Sequence, residues 1–204
     1  MNEAVRQMLA RFEAHTVEDS VRALREILQE LAWLCDCGLL HRIHRLSAPS
    51  IPIKAYEDTG AFKLFLVDVG LLGAMGELDP RTLLDGNRLF SEFKGALTEQ
   101  FVMQQLTSMD NPPPLYYWSS DSGNAEVDFV AQFGGDVIPL EVKAGENLQA
   151  KSLKVYTQKF RPALAVRTSL SDYRAEGPLV NVPLYALSEL PKIIGGLPGD
   201  ALSR

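Results

Sequence analysis

Gly134-Gly135, set between two alternating runs in residues 124–145 (NAEVDFVAQFGGDVIPLEVKAG), constrains this chain more than any other feature. Both glycines accept a positive φ without strain, so Gly-Gly between such runs predicts a two-residue hairpin loop. That turn fixes the register. Val127 then faces Val142, Phe129 faces Leu140 and Ala131 faces Ile138, which makes one side of the ribbon continuously apolar. The other side sets Asp128 directly across from Glu141, and Glu126 across from Lys143. Two carboxylates opposite each other repel, and selection for stability alone avoids the pair. A divalent cation between them turns repulsion into binding. Asp128 and Glu141 are therefore candidate metal ligands.

A chain of 204 residues with 46% hydrophobic content is long enough for one large domain or two small ones with real cores. It holds no run of about 18 apolar residues, so no transmembrane helix and no membrane partner are expected. The N-terminus (MNEAVRQMLARFE) is amphipathic and lacks the apolar stretch of a signal peptide. Cys35 and Cys37, the two cysteines, stand too close for an ordinary structural disulfide and read as reduced thiols. The expectation is a soluble cytoplasmic protein. A net charge of −6 argues against non-specific nucleic-acid binding by the whole surface. The charge is uneven, however. Lys143, Lys151, Lys154, Lys159, Arg161 and Arg167 follow one another with Glu146 alone opposing them. This run is either a solvated helix face or a local basic patch, with Lys151, Lys154 and Lys159 the candidate nucleic-acid contacts.

Taken in order, Thr16 and Asp19 resemble a capping box, and Val17, Val21, Leu24, Leu28, Leu31 and Cys35 recur at helical spacing. A helix over 17–37 follows, with Gly38 as its stop. Residues 39–46 read as extended, 61–68 as a second strand and 69–75 as a short helical turn. Helices followed by a small ribbon predict a winged-helix-like unit over 1–80. Turn signals in 76–90 mark a junction to a second unit over 81–204. There, 91–109 is a strong helix with Glu99 on its mostly apolar side, beside Gly95, Val102 and Leu106. A carboxylate in that position is costly unless it is paired or metal-bound, or reaches solvent at the rim. Beyond Pro112-Pro113-Pro114 come a strand over 115–118, the hairpin, a helix over 150–160, a buried strand over 163–167 and an edge strand over 180–187. The tail from Leu190 reads as peripheral. From Ser91 the order is α-β-β-β-α-β, an α/β fold.

That order, with an acid on the first helix, Asp128 on the second strand and Glu141-Val142-Lys143 on the third, resembles the PD-(D/E)XK nuclease-like fold. The resemblance implies that Asp128 and Glu141 hold Mg²⁺ or Mn²⁺, that Glu99 completes the site, and that Lys143 orients the attacking water. Val127 stands where the family's motif usually has Pro. Over nearly the whole chain the phrases AYEDTGAFKLFLVDVGLL, EFKGALTEQFV, YYWSS, AEVDFV, PLEVKAGENLQAKSLK and VPLYAL resemble the C-terminal region of bacterial and archaeal AAA+-type ATPases, a domain of unknown function with a nuclease-like fold. An ATPase domain is the partner this implies. No G-x-x-x-x-G-K-[ST] occurs in this sequence, so no P-loop holds ATP here.

Other groupings carry less. Cys35, Cys37, His41 and His44 have a zinc-like composition, but helix and strand geometry send them in different directions. All three histidines precede Ser119-Ser120 by a long way, which argues against a serine-nucleophile triad. Tyr116-Tyr117-Trp118 can stack bases, yet alternation in a strand favours core packing. Two functional classes stand: a metal-dependent nuclease-like site using Asp128, Glu141, Lys143 and Glu99, and a non-catalytic nucleic-acid- or protein-binding module that serves an ATPase.

Overall fold

The computed structural model describes residues 17–79, 81, 91–145 and 150–195. Its elements in order are α1 (Val17–Asp36), β1 (Leu40–Leu46), a 3₁₀ turn (Ile53–Tyr56), β2 (Glu57–Leu66) and α2 (Val69–Met75). Next come α3 (Ser91–Thr107), β3 (Leu115–Ser119), β4 (Glu126–Phe133), β5 (Asp136–Val142) and α4 (Lys151–Phe160). The chain continues through β6 (Ala165–Ser169), β7 (Arg174–Glu176), β8 (Leu179–Pro183), a 3₁₀ segment (Leu184–Glu189) and α5 (Leu190–Gly195). It divides into two compact units, residues 1–41 and 42–204.

In the first unit, α1 ends as its sequence predicts. Gly38 is left-handed at φ +76°. Its amide donates to the Cys35 carbonyl at 3.0 Å, and the Leu39 amide donates to the Leu34 carbonyl at 3.0 Å. These are the two bonds of a Schellman stop, and glycine supplies the left-handed residue they need.

The second unit is built on a mixed eight-stranded sheet in the order β2-β1-β3-β4-β5-β6-β8-β7. The β1–β2 ribbon, expected as part of a winged-helix-like unit, is joined to this sheet by a parallel pairing of Arg45 with Tyr117. An ion pair between Arg45 and Asp58, at 2.5 Å, ties the two strands of the ribbon together. The junction expected within 76–90 lies largely outside the described residues. At the centre, β4 and β5 pair antiparallel from Phe129↔Leu140 to Phe133↔Asp136, the register that Gly134-Gly135 predicts. Gly134 takes the positive φ, +58°, and Gly135 does not. A positive φ at the first central position alone is the type II′ pattern.

Apolar side chains cover both sides of the central strands. One cluster joins Phe129, Ala131, Ile138 and Leu140 to Val102, Met103 and Leu106 of α3 and to Leu187, Leu190 and Ile194. The other joins Tyr116, Trp118, Val127 and Val130 to Leu153 and Tyr156 of α4. Tyr116, Tyr117 and Trp118 are thus all core residues, as strand alternation favours. From α3 to β6 the observed order is α-β-β-β-α-β.

Two expectations need correction. The strand over 180–187 is neither that long nor at the edge: β8 stops at Pro183 and lies between β6 and β7. The edge is β7, three exposed residues (Arg-Ala-Glu) with no apolar alternation to announce them. The tail is not peripheral, because Leu190 and Ile194 are buried in the first cluster. An apolar pair one helical turn apart is too short a stripe to announce burial, and packing into the first cluster makes it core.

Candidate functional site

The site lies where two strands part. Beyond Phe129↔Leu140, β4 continues its pairing with β3 through Trp118↔Val127 and Ser119↔Glu126. Meanwhile β5 continues with β6 through Glu141↔Arg167 and Val142↔Thr168. The expected pairing of Val127 with Val142 is therefore not made. In its place the Val142 amide donates to Asp128 Oδ2 at 2.7 Å. Glu126 and Lys143 do not pair either: Lys143 Nζ donates to Glu141 Oε1 at 2.7 Å. The carboxylates flank the opening of the ladder rather than facing each other within it.

Glu141 is 4% exposed, and its Oε2 is buried with no hydrogen-bond partner among the described residues. An ionised carboxylate in that state is expensive unless something else satisfies the oxygen. Burial pushes Glu141 above the usual carboxylate range and the nearby Asp128 charge adds to this, while Lys143 opposes it. Burial likewise raises Asp128, against the pull of the Val142 amide and the charges of Lys63 and Lys143. Glu99 reaches the group from α3. Burial, followed by repulsion from Asp128, pushes it up to about 7, although Lys63 pulls the other way.

Lys63 is the residue that sequence reasoning missed. Its Nζ lies 2.5 Å from Glu126 Oε1 and 3.9 Å from Glu99 Oε2, and 5.2 Å from the centre of the Tyr117 ring. Burial alone lowers its pKa, but the Glu126 hydrogen bond and the charges of Glu126, Glu99 and Asp128 more than reverse this, leaving it raised. A signal was present: Lys63 stands alone in the apolar run AFKLFLV, on the same strand face as buried Phe65. Gln100, 2% exposed, explains how β2 and α3 are locked together. Its amide donates to the Leu66 carbonyl and accepts the Leu66 amide at 2.9 Å. Gln104 repeats the device one turn on, accepting the Val69 amide at 2.9 Å and donating to Asp68 at 2.9 Å. The side chain of Glu99 is thereby held beside that of Lys63.

The structure brings Asp128, Glu141, Lys143 and Glu99 into one electrostatic group with Lys63 and Glu126. The donor chemistry, carboxylate oxygens with one buried oxygen unsatisfied, fits a hard divalent ion. Among the described residues, however, no three His, Cys, Asp or Glu side chains are gathered closely enough to hold one as they stand. This covers Cys35, Cys37, His41 and His44 as well, and neither cysteine forms a disulfide among the described residues.

The basic residues lie elsewhere. Lys151 and Lys154 on α4 are exposed. Lys159 lies 5.6 Å from the Trp118 ring centre and 5.1 Å from that of Phe160, over an aromatic cluster that docks α4 on the sheet. Lys154 also borders a cavity of about 510 Å³ with Arg161, Arg167, Thr157 and Glu176, none of them in the carboxylate group. Ser120 has a structural task, its hydroxyl accepting the Ala125 amide at 3.1 Å. No helix among the described residues is long and apolar enough to cross a membrane.

Comparison with known proteins gives domains without functions. An uncharacterised protein of Mycobacterium tuberculosis and one of Mycobacterium bovis are each 35% identical to this chain over 81 residues. That segment is 40% of this chain and 17% of each relative. No solved structure matches. Residues 4–82 match the family described as Domain of unknown function (DUF8612), and residues 94–187, which include Glu99, Asp128, Glu141 and Lys143, match Domain of unknown function (DUF4143).

Proposed function

We propose that the carboxylate group is a nuclease-like site that binds Mg²⁺ or Mn²⁺ and acts on nucleic-acid phosphodiesters. The observation that carries this reading is the buried Oε2 of Glu141, without a partner among the described residues, beside Asp128 at the point where β4 and β5 separate. The α-β-β-β-α-β order from α3 supports the nuclease-like fold assignment. Asp128 and Glu141 would hold the ion, with Glu99 completing the set. A bound divalent ion supplies positive charge to the phosphate and acidifies a water molecule. Lys143, already beside Glu141, donates toward the attacking water or the phosphate oxygens. A bound cation would hold the Glu99 carboxylate ionised against the burial that pushes it up to about 7. The exposed lysines of α4, Lys151, Lys154 and Lys159, would meet the phosphate backbone.

DUF4143 is commonly found with AAA ATPases, which supports coupling of this site to an ATPase domain. The rival reading is a binding module of such an ATPase without turnover, and the lack of a preassembled set of three ligands among the described residues favours it. Calorimetric titration with Mn²⁺ and Mg²⁺ tests the site, on the wild type and on Asp128→Ala/Glu141→Ala. Binding that disappears in the double variant is expected. Cleavage of single- and double-stranded DNA and RNA by the wild type alone then separates catalysis from binding. Metal binding without any cleavage selects the module, and no metal binding to either protein sinks the metal-site reading.

A further inference from the structure

We infer that the Lys63 ammonium is the resident counter-ion of the carboxylate group and that it yields its place when a divalent cation enters. This rests on the metal-binding reading above and adds a residue from outside the acid–acid–lysine motif. Four observations carry it. Lys63 Nζ is within 2.5 Å of one carboxylate and 3.9 Å of a second, so one ammonium serves two acids from different elements, Glu126 on β4 and Glu99 on α3. Its side chain is 23% exposed, which makes the ammonium a fixed charge rather than a surface cation sampling water. The backbone around it is anchored: Gln100 holds Leu66 by both its amide and its carbonyl, so Lys63 cannot drift from Glu99 without breaking a buried clamp. Finally, the described acids are not gathered for a metal as they stand. An ammonium that draws Glu99 and Glu126 to itself accounts for that dispersal.

The consequence is an exchange of cations at constant overall architecture. While Lys63 neutralises Glu99 and Glu126, the charge that would attract a divalent ion is reduced. When the ion is bound, Lys63 loses its hold on Glu99 and its Nζ becomes available to an anionic oxygen of the substrate. Lys63 thus couples metal entry to the release of an ammonium from Glu99. A positive charge beside the acids weakens their attraction for a second cation, so removal of the Lys63 charge strengthens metal binding.

The experiment is Mn²⁺ titration by calorimetry at fixed pH and ionic strength on the wild type, Lys63→Met, Lys63→Arg and Asp128→Ala/Glu141→Ala. Lys63→Met keeps the apolar stem and removes the charge, and its dissociation constant should fall about tenfold, the effect of one charge at close range. Lys63→Arg keeps the charge and should retain wild-type affinity. Metal binding by the wild type with unchanged or weaker binding by Lys63→Met overturns the exchange while leaving the metal site standing. Equal tightening in both variants also overturns it, because size rather than charge would then be responsible. Absence of binding in every protein overturns the exchange and the metal site together. A second readout needs no variant. Saturating Mg²⁺ should increase the labelling of Lys63 by an amine-reactive ester, followed by peptide mass spectrometry, and unchanged labelling contradicts release of the ammonium.

Discussion

Asp128 illustrates how one side chain can serve two purposes that pull against each other. Its Oδ2 accepts the Val142 amide, which stabilises the end of the hairpin, yet its charge is buried near Glu99 and Glu141. Asp128→Asn keeps an acceptor for the amide and removes the charge, so it should raise apo stability by about 1 kcal/mol in urea unfolding. Asp128→Ala leaves a backbone donor unpaired and should be about 1–2 kcal/mol less stable than Asp128→Asn. An alanine variant as stable as the asparagine one would show that the amide bond contributes nothing. Glu99 gives a pH signature. Its folded pKa, about 7, is above the free value, so the folded state holds the proton more tightly. The corresponding stability is fully present below about pH 4.5 and is lost as pH rises through about 7. With a third of the side chain exposed, screening limits the loss to about 1–2 kcal/mol. Glu99→Gln should flatten the decline without abolishing it, because Asp128 and Glu141 are raised in the same direction. Urea midpoints across pH 4–8 for both proteins measure it, and parallel profiles would remove Glu99 from the account.

Among elements, the junction of β2 with α3 and the docking of α4 bear most directly on the site. Gln100 joins β2 to α3 by pairing both backbone groups of Leu66 inside the protein. Gln100→Ala leaves the half-buried Leu66 amide and carbonyl without their partner and should cost about 1–3 kcal/mol, read as a lowered urea midpoint with an unchanged m-value. A loss below about 0.5 kcal/mol would mean that the clamp is replaced by water. On the other side of the sheet, α4 packs through Tyr156, whose ring meets that of Trp118 edge-on at 5.3 Å. The Tyr156 hydroxyl is buried with no partner among the described residues. Tyr156→Phe removes an unsatisfied polar group and keeps the ring, so it should be neutral or stabilising by up to about 1 kcal/mol. Clear destabilisation would reveal a hydrogen-bond partner for that oxygen.

For the molecule as a whole, an overall charge of −6 and a cationic α4 imply that any nucleic-acid binding is local and salt-sensitive. Reversing the charges of Lys151, Lys154 and Lys159 should weaken DNA binding. It should also flatten the plot of log affinity against log salt by about 0.9 for each phosphate that is no longer neutralised. Fluorescence anisotropy over a salt series reads this, and an unchanged slope would take α4 out of the interface. The carboxylate group and the α4 lysines lie on separate features of the second unit, so the metal-site variants and the charge reversals should act independently.

What the sequence by itself determined is local and periodic. Two glycines between alternating runs set the turn and the β4–β5 register. Gly38 ended α1, and apolar spacing delimited α3 and its buried Val102 and Leu106. Asp128 and Glu141 stood out as like charges at one register position and Glu99 as an acid on an apolar stripe, whereas Lys143 entered through the resemblance carried by Glu141-Val142-Lys143. The tertiary structure decided which residues share space across long separations, and no periodicity encodes that. It placed β2 so that Lys63 meets Glu99 and Glu126, and inserted β8 inside the sheet. It folded Leu190 and Ile194 into the core, and ended the β4–β5 ladder one pair before the carboxylates. The physical reason is the same in each case. Local rules fix which way a side chain points on its own element, whereas its partner is set by packing between elements that the chain brings together only on folding.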